Sequence, residues 1–420
     1  MTSSETLSAP TRRIMSLRAV VGWMGLSQII GYGTIFYAYA IVAPGFAAEF
    51  HVAPTLPFSV ISVALLISGL VSPFLGRQID RHGAPRIMVL GSVAVGLVYS
   101  LAALASNFAT LAALIVLLQV IAVAVLYGAS FPTLAQFGGT GARRAITQLT
   151  LIAGFASTLF WPLSGFLVGQ LGWRGTFLVF AILHLVIALP IHLLIARRAP
   201  GKSEDQPVAA VDRVGAPVPG RFAFWMVALS FGLTGVLSTA LVVHLVPILQ
   251  LSALGENTYI VSMLVGPAMV LVRVGESLFW ANLNPLVTTA LAALCFPLSI
   301  GLLLSGLPSL VAGILFALFY GFGHGLNVIV GGTLPLHLFG RAGYAELLGK
   351  LNATRVVLSA GAPAAFSGAL AVVGFTATMT LGAAIGLLAI IPLIILGRSL
   401  SRADRSVAGL STAERKTAST

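Results

Sequence analysis

Three strongly charged residues lie inside long apolar stretches of this 420-residue chain: Arg273, Glu276 and Arg355. A guanidinium grips a carboxylate through paired hydrogen bonds, and a carboxylate in apolar surroundings holds a proton more readily than in water. A charge at the centre of a membrane helix costs roughly 2.5 to 3.5 kcal/mol on insertion scales, so each residue needs a partner or a task. The three predict anion binding at Arg273 and Arg355, with Glu276 as the candidate proton carrier.

Two other interpretations of Arg273 stay open. Glu276 follows Arg273 by one helical turn, so the two could form an internal ion pair. The spacing Arg-x-x-Glu also resembles Arg77-x-x-Asp80, which would make it a copy of a loop element. Depth argues against the copy, because Arg273 lies roughly 7 Å deeper in its segment than Arg77 does. Arg355 lies about 15 Å from the start of its own segment.

Uncharged polar residues within other apolar segments are candidates to complete a binding cavity. Tyrosine, glutamine, histidine and asparagine side chains can donate to or accept from a small molecule. Helix packing is the alternative for each of them, and proton transfer is a further possibility for histidine. The predicted set is Gln28, Tyr32, Tyr127, His324 and Asn327.

The composition is that of a membrane protein. Hydrophobic residues make up 58% of the chain, charged residues only 8%, and the mean hydropathy is +1.02. A soluble core could not bury this much apolar surface. The net charge of +12 is carried by residues at the ends of apolar segments, which indicates topology and not nucleic-acid binding. The one cysteine, Cys295, excludes an intramolecular disulfide and a cysteine-based metal cluster.

Twelve apolar segments are long enough to cross a bilayer. Because apolar residues run continuously without alternation, the segments predict α-helices and not a β-barrel. We expect an all-α membrane protein with helices near 19–45, 57–76, 86–106, 108–131, 146–170, 174–196, 222–250, 257–280, 286–306, 308–331, 345–370 and 373–397.

The distribution of positive charge predicts the orientation. Of the 23 Lys and Arg residues, 20 fall in one alternating set of loops or in the tails, and only Arg174 falls in the other set. Positive residues concentrate on the cytoplasmic side of membrane proteins. We therefore expect a multi-pass protein of the inner (plasma) membrane with both termini cytoplasmic. The polar N-terminal residues predict an uncleaved tail and not a signal peptide.

The longest connection separates six segments from six. It is rich in charged residues, Pro and Gly, which is typical of a flexible linker. The predicted units are an N-terminal half at 1–198, a cytoplasmic linker at 199–221 and a C-terminal half at 222–420. Leu126-Tyr127-Gly128 resembles Phe319-Tyr320-Gly321 at the matching place in the second half. Repeated halves of this kind predict a substrate site at their interface.

The loop after the second segment carries a specific motif. It reads Gly76-Arg77-Gln78-Ile79-Asp80-Arg81-His82-Gly83, with Arg86 three residues later. This resembles the signature loop of the major facilitator superfamily, G-x-x-x-D-R-x-G followed by a basic residue, and it stands in the expected loop. The resemblance implies a conformational latch made by Gly76, Arg77, Asp80, Arg81, Gly83 and Arg86.

A narrower resemblance concerns the two deep arginines. The oxalate/formate antiporter and monocarboxylate transporter branch places basic residues in its eighth and eleventh helices to bind substrate carboxylates, and Arg273 and Arg355 occupy those helices here. The match is one of position and not of motif. The neighbouring Glu276 departs from the pattern, because it could neutralise Arg273.

The sequence thus predicts a secondary active transporter of a small organic anion that works by alternating access, by exchange or coupled to protons as a symporter or antiporter. The alternative is a proton-coupled efflux antiporter for drugs or metabolites. We expect no enzyme, no cofactor and no metal site, because nucleotide-binding, zinc-binding and nucleophile motifs are absent from the sequence. A transporter-like sensor or a membrane-embedded enzyme is the rival from another class.

Overall fold

The computed structural model describes residues 15–199, 220–252, 254–280 and 283–417. Helices account for nearly all of these residues, and none of them forms a strand. Most of the predicted linker, residues 200–219, lies outside the described residues, as do Arg12, Arg13, Lys202 and Arg213 of the topology argument. The boundaries of the two halves along the chain therefore remain a prediction.

Nine continuous helical segments of the described residues are long and apolar enough to cross a membrane. Two of these are far longer than one crossing needs: Phe108–Arg197 has 90 residues and Tyr344–Arg402 has 59. Each crossing takes about 20 residues. Glycines with positive φ interrupt them, with φ of 51° at Gly139, 63° at Gly172 and 79° at Gly374. Such values favour glycine, so these are the turns between successive crossings.

Dividing the long segments at these turns gives twelve helices. In the first half, α1 is Leu17–Glu49, α2 is Leu56–His82, α3 is Ala84–Ala103, α4 is 108–138, α5 is 142–171 and α6 is 173–197. In the second half, α7 is 220–251, α8 is 257–280, α9 is Pro285–Leu303, α10 is Ser309–Phe339, α11 is 344–373 and α12 is 375–417. The predicted twelve-helix, all-α membrane fold is confirmed.

Several helices are irregular where polar residues cluster. The backbone of α1 widens to a π-helix at Gly33–Tyr37, directly after Tyr32, and α8 does so at Glu276–Trp280. Two further breaks interrupt α4 after Ala122 and α5 after Ala153. Such irregularities are frequent at functional sites, because they free backbone groups and redirect side chains. The break in α5 lies near the Thr150 carbonyl, which accepts a hydrogen bond from Arg273.

Each half packs around its own aromatic core. In the first half Phe46, Trp173 and Phe177 meet edge to face, and in the second half Phe316 stacks on Tyr320. Large apolar residues on the outside remain exposed, as expected where lipid and not water is the solvent. A further buried apolar cluster joins the halves, because Tyr344 and Ala345 pack with residues of the first half such as Ile79.

The two ends of the helical bundle differ. We call the end that carries the α2–α3 turn the Asp80 end, and the opposite end, where α1 finishes, the Glu49 end. At the Glu49 end, Arg174 Nη2 binds Glu49 Oε1 at 2.6 Å and also donates to the Ala105 carbonyl, while Trp173 donates to Glu49. These contacts tie α1, α6 and the α3–α4 turn together within the first half. Contacts between the halves lie toward the Asp80 end.

Candidate functional site

The carboxylate of Asp80 caps the N-terminus of α11 in the opposite half. Its Oδ1 accepts a hydrogen bond from the Ala345 amide at 3.1 Å, and its Oδ2 accepts one from the Glu346 amide at 2.9 Å. The first amides of a helix have no partner within the helix, and its dipole attracts negative charge. Asp80 therefore holds the two halves together at this end.

The remaining motif residues surround this cap. Arg77 Nη1 lies 3.5 Å from Glu346 Oε1, and Lys350 lies 2.8 Å from the same oxygen. Arg77 is largely exposed, so its ion pair contributes only about 0 to 1 kcal/mol. Gly83 turns the chain between α2 and α3 with φ 88°, and the two remaining basic residues of the motif, Arg81 and Arg86, are exposed.

Close backbone contact along α2 and α11 supports the cap. A Cβ added at Gly76 would overlap the backbone of Ala345, and one added at Gly349 would overlap the backbone of Ser72. Glycines let membrane helices approach closely, which strengthens van der Waals packing. The Asp80 end is therefore closed in this structure by a tight seam between the halves, with Asp80 at its rim.

A second pair of charges crosses between the halves. Arg143, at the start of α5, lies with Nη2 3.8 Å from Glu276 Oε1 in α8. Glu276 is almost fully buried, and neither of its oxygens has a hydrogen-bond partner in the described part of the chain. Arg143 is one of the 20 Lys and Arg residues whose distribution predicts the orientation, and the sequence did not indicate a buried partner for it. The structure makes it the ion-pair partner of the buried acid Glu276.

Arg273 is buried, with 5% of its surface exposed, and it is bound to backbone and not to a carboxylate. Its Nη1 donates to the Thr150 carbonyl of α5 at 3.1 Å, and its Nε donates to the Gly325 carbonyl of α10 at 3.3 Å. The internal ion pair with Glu276 does not form, because Glu276 turns toward Arg143. Arg273 thus reaches into the first half. The two carbonyls accept its hydrogen bonds but do not neutralise its positive charge.

Arg355 lies in α11, facing α7. Its Nη2 donates to Asn352 Oδ1 at 2.9 Å, and its aliphatic part lies where a Cβ on Gly235 would be. The glycine therefore makes room for the arginine. Within the described residues, neither Arg355 nor Arg273 has a carboxylate within 4.0 Å.

The two arginines act on a shared set of polar groups. Arg273 lies close enough to Tyr32, Tyr127 and His324 for its charge to act on them, and Arg355 lies close enough to Tyr32 and His324. Because such interactions fall off with distance, these groups surround one region between the halves. Tyr32 and Tyr127 also contact each other, with ring centroids 4.6 Å apart. Residues that lie far apart in the sequence, on separate helices, thus form a single cluster.

Other predicted site residues are placed differently. Gln28 is fully buried, and its amide donates to the Val125 carbonyl at 2.8 Å, so it joins α1 to α4 inside the first half. His324 Nδ1 bonds to Ser238 Oγ at 2.9 Å, and Asn327 lies half-buried one turn farther along α10. Gln28 therefore contributes packing in this conformation, whereas His324 belongs to the cluster.

Sequence reasoning missed a second polar network, inside the first half. His184 bonds to Thr34 Oγ1 at 2.9 Å, and His192 bonds to Ser92 Oγ at 2.6 Å and to Ser27 Oγ at 3.1 Å. Both histidines are almost fully buried. They are eight residues apart in α6 and hence on one face, which the helical period could have indicated. The network joins α1, α3 and α6.

Twelve membrane helices in two halves, with a charged cluster between them, define the molecule as a multi-pass membrane transporter and not an enzyme. The comparisons with known proteins agree. Residues 24–363 match the sequence model of the Major Facilitator Superfamily, so the chain belongs to that family. A search of curated protein sequences found no match.

Solved structures of transporters share the fold. The human organic anion transporter MFSD10 (TETRAN) is 17% identical, with a TM-score of 0.67 over 92% of this chain and 100% of that one. A variant of the E. coli fucose:proton symporter FucP is 13% identical, with a TM-score of 0.69 over 91% of this chain and 99% of that one. At these identities the likeness is one of fold.

Proposed function

We propose that this protein is a secondary active transporter of a small organic anion, a carboxylate, which binds between Arg273 and Arg355. The observation that carries the proposal is the charge of the cluster. The buried guanidinium of Arg273 and the half-buried guanidinium of Arg355 both lie near Tyr32 and His324, and the buried acid Glu276 pairs with Arg143. Buried like charges repel, and an anion between them would relieve the repulsion.

Tyr32 and Tyr127 would complete the site from the first half. Their rings and hydroxyls lie across the halves from Arg355, and α1 and α4 carry them. A carboxylate would take charge-assisted hydrogen bonds from the guanidiniums, which contribute roughly twice as much as neutral ones. His324 and Asn327 would supply further polar contacts from α10. An organic anion is also what the human protein of similar fold, MFSD10, transports by its description.

Transport would follow alternating access, with the Asp80 seam closed in one state and opened in the other. The proposed latch consists of Gly76, Arg77, Asp80, Arg81, Gly83 and Arg86. The positive-inside pattern supports a cytoplasmic location for the Asp80 end, with both termini on that side of an inner membrane. The structure would then represent a state closed toward the cytoplasm.

Glu276 is the proposed proton-coupling residue. It is buried at a boundary between the halves, and a proton on it would remove its attraction to Arg143. Exchange of one anion for another would need no such proton. The same position favours the second candidate function, a proton-coupled efflux antiporter, because a buried carboxylate that can release its proton suits a cationic substrate.

A binding screen separates the two functions. The purified protein is heated with acetate, succinate, benzoate or a hydrophobic cation such as tetraphenylphosphonium, and the unfolding temperature is recorded. A ligand that binds the folded state raises this temperature, and the rise grows with the ratio of ligand concentration to dissociation constant. The anion proposal predicts a rise with one or more carboxylates that Arg355→Gln abolishes. A rise with the cation alone, abolished by Glu276→Gln, would establish the efflux function instead.

A further inference from the structure

We propose that Asn352 couples the occupancy of Arg355 to the closure of the seam between α2 and α11, acting as a positioning residue that links the anion site to the latch. This inference rests on the proposed function, because it takes Arg355 as a binding residue. Nothing in the sequence pattern singled Asn352 out. The contacts on its two sides do.

The Asn352 side chain bridges Arg355 to the opposite half. Its Oδ1 accepts from Arg355 Nη2 at 2.9 Å, and its Nδ2 donates to Ser72 Oγ of α2 at 3.5 Å. The orientation of the amide is dictated by chemistry, because a guanidinium can only donate and must therefore face the oxygen. The nitrogen is then the group left to reach Ser72. Asn352 thus holds one residue of each half at once.

Ser72 is itself fixed in the seam. It is 2% exposed, and its hydroxyl lies 2.8 Å from the Gly349 carbonyl of α11 and 2.6 Å from the Gly69 carbonyl of its own helix. The helices are in close contact on both sides of Ser72, because Gly349 contacts the Ser72 backbone and Gly69 contacts Val356. The bond between Ser72 and Asn352 therefore exists only while α2 and α11 are pressed together.

Along α11, Asn352 lies between the proposed anion site at Arg355 and the latch at Ala345. Asn352 precedes Arg355 by one helical turn and follows Ala345, where Asp80 binds, by about 10 Å along α11. When the seam opens, Asn352 loses Ser72, and the Arg355 guanidinium loses the support that aims it. When the seam closes, Arg355 is held by one Nη2 hydrogen bond, and its remaining N–H groups stay available to a carboxylate.

Thermodynamic linkage determines whether a bound anion favours the closed or the open seam. If closure of the seam orients Arg355 and raises its affinity for an anion, then a bound anion must favour closure by the same factor. Coupling between sites of this kind typically amounts to about 5-fold or more in an equilibrium constant. Removing the bridge should leave an anion site that binds without moving the seam.

The seam can be followed with spin labels. His82→Cys and Ala342→Cys place labels on exposed positions of α2 and of the turn before α11, in a Cys295→Ala background. The full-length protein in lipid nanodiscs is titrated with acetate, succinate and benzoate, and the fraction with a short distance between labels is measured alongside the dissociation constant. We expect saturating anion to raise the closed-to-open ratio about 5-fold.

Two variants and one control decide the result. Asn352→Ala and Ser72→Ala remove the bridge from opposite halves, and each should reduce the anion effect on the ratio to less than about 2-fold while anion binding persists. The double variant should lose no more than either single one, because both remove the same contact. Thr354→Val is the matched control, since its hydroxyl bonds only to the Lys350 carbonyl of its own helix.

The possible outcomes separate the two proposals. An anion effect of wild-type size in Ser72→Ala and Asn352→Ala, or no response of the wild-type seam to any of the three carboxylates, would overturn the coupling role. Equal anion affinity in wild type and Arg355→Gln would instead overturn the anion site itself. If Asn352→Ala does not fold, Ser72→Ala carries the test from the other half.

Discussion

Glu276 lies 3.8 Å from Arg143, in the opposite half, although Arg273 stands only one turn away in its own helix. Arg273 instead donates to the carbonyls of Thr150 and Gly325. The pairing of Glu276 with Arg143 leaves Arg273 without an acidic partner in the described residues. One ion pair closes a boundary between the halves, and two arginines without acidic partners in the described residues are left in the central cluster.

Removing one member of this ion pair should cost more than removing both. Arg143→Gln leaves the buried Glu276 carboxylate without its counter-charge, and we expect a loss of about 3 kcal/mol in the free energy of unfolding, the lower end for a buried pair because Arg143 is partly exposed. Arg143→Gln combined with Glu276→Gln should recover most of that loss. Thermal unfolding of the three variants in detergent measures it. Equal stability of the single and double variants would show that the pair is not energetically coupled.

Glu276→Gln should separate proton-driven transport from exchange. The amide has nearly the same shape but cannot take up a proton at neutral pH, so uptake driven by a pH gradient should be abolished while anion exchange persists. Uptake into proteoliposomes, with and without an imposed gradient, measures both. Glu256→Gln, the same change at an exposed position outside the proposed sites, is the control. Gradient-driven uptake that survives in Glu276→Gln would remove this residue from the coupling role.

Asp80→Asn should weaken the latch without touching the anion site. Asparagine keeps one acceptor oxygen but loses the charge and the second acceptor, so a helix-capping contribution of about 1 kcal/mol is lost. We expect slower transport with a KM raised by no more than about 5-fold, because the seam and the anion site are coupled by about that factor. Initial uptake rates across a range of anion concentrations give both quantities. A large rise in KM at normal maximal rate would contradict the latch.

Gly76→Leu should hold the Asp80 end open. The Cβ alone would overlap the Ala345 backbone, so α2 and α11 cannot close around a larger side chain. We expect maximal transport to fall about 10-fold or more, and the labelled seam to show the long distance. Gly165→Leu is the matched control, because nothing lies within 4 Å of a Cβ there. Normal closure in Gly76→Leu would show that the seam is not this tight.

The fold could be predicted from the sequence because the bilayer imposes a fixed length on every apolar segment. The eighth helix was expected at 257–280, and the structure gives the same bounds. Helix ends were less exact where polar caps extend a helix beyond the apolar stretch, as in α2, which continues to His82 through the charged motif. Hydropathy does not record such extensions.

The candidate site was predicted only in part. Depth along a helix can be counted from the sequence, so Arg273, Glu276 and Arg355 were found. Pairing cannot be counted in this way, because it depends on which helices of the two halves face each other. Arg143 was therefore interpreted as a topology residue, and the bond between Asn352 and Ser72 was not foreseen. Asn352 could have been noticed by its spacing of one turn from Arg355.

Arg273 and Arg355 are the residues proposed to hold a carboxylate, and transport itself tests this role most directly. Uptake of radiolabelled acetate, succinate and benzoate is measured in proteoliposomes containing wild type, Arg273→Gln, Arg355→Gln or the control Thr354→Val. Each glutamine variant loses a charge-assisted hydrogen bond, which corresponds to a decrease of about 10-fold or more. We predict that decrease in both variants and none in the control. Carboxylate uptake that continues unchanged in Arg273→Gln and Arg355→Gln would contradict the anion site.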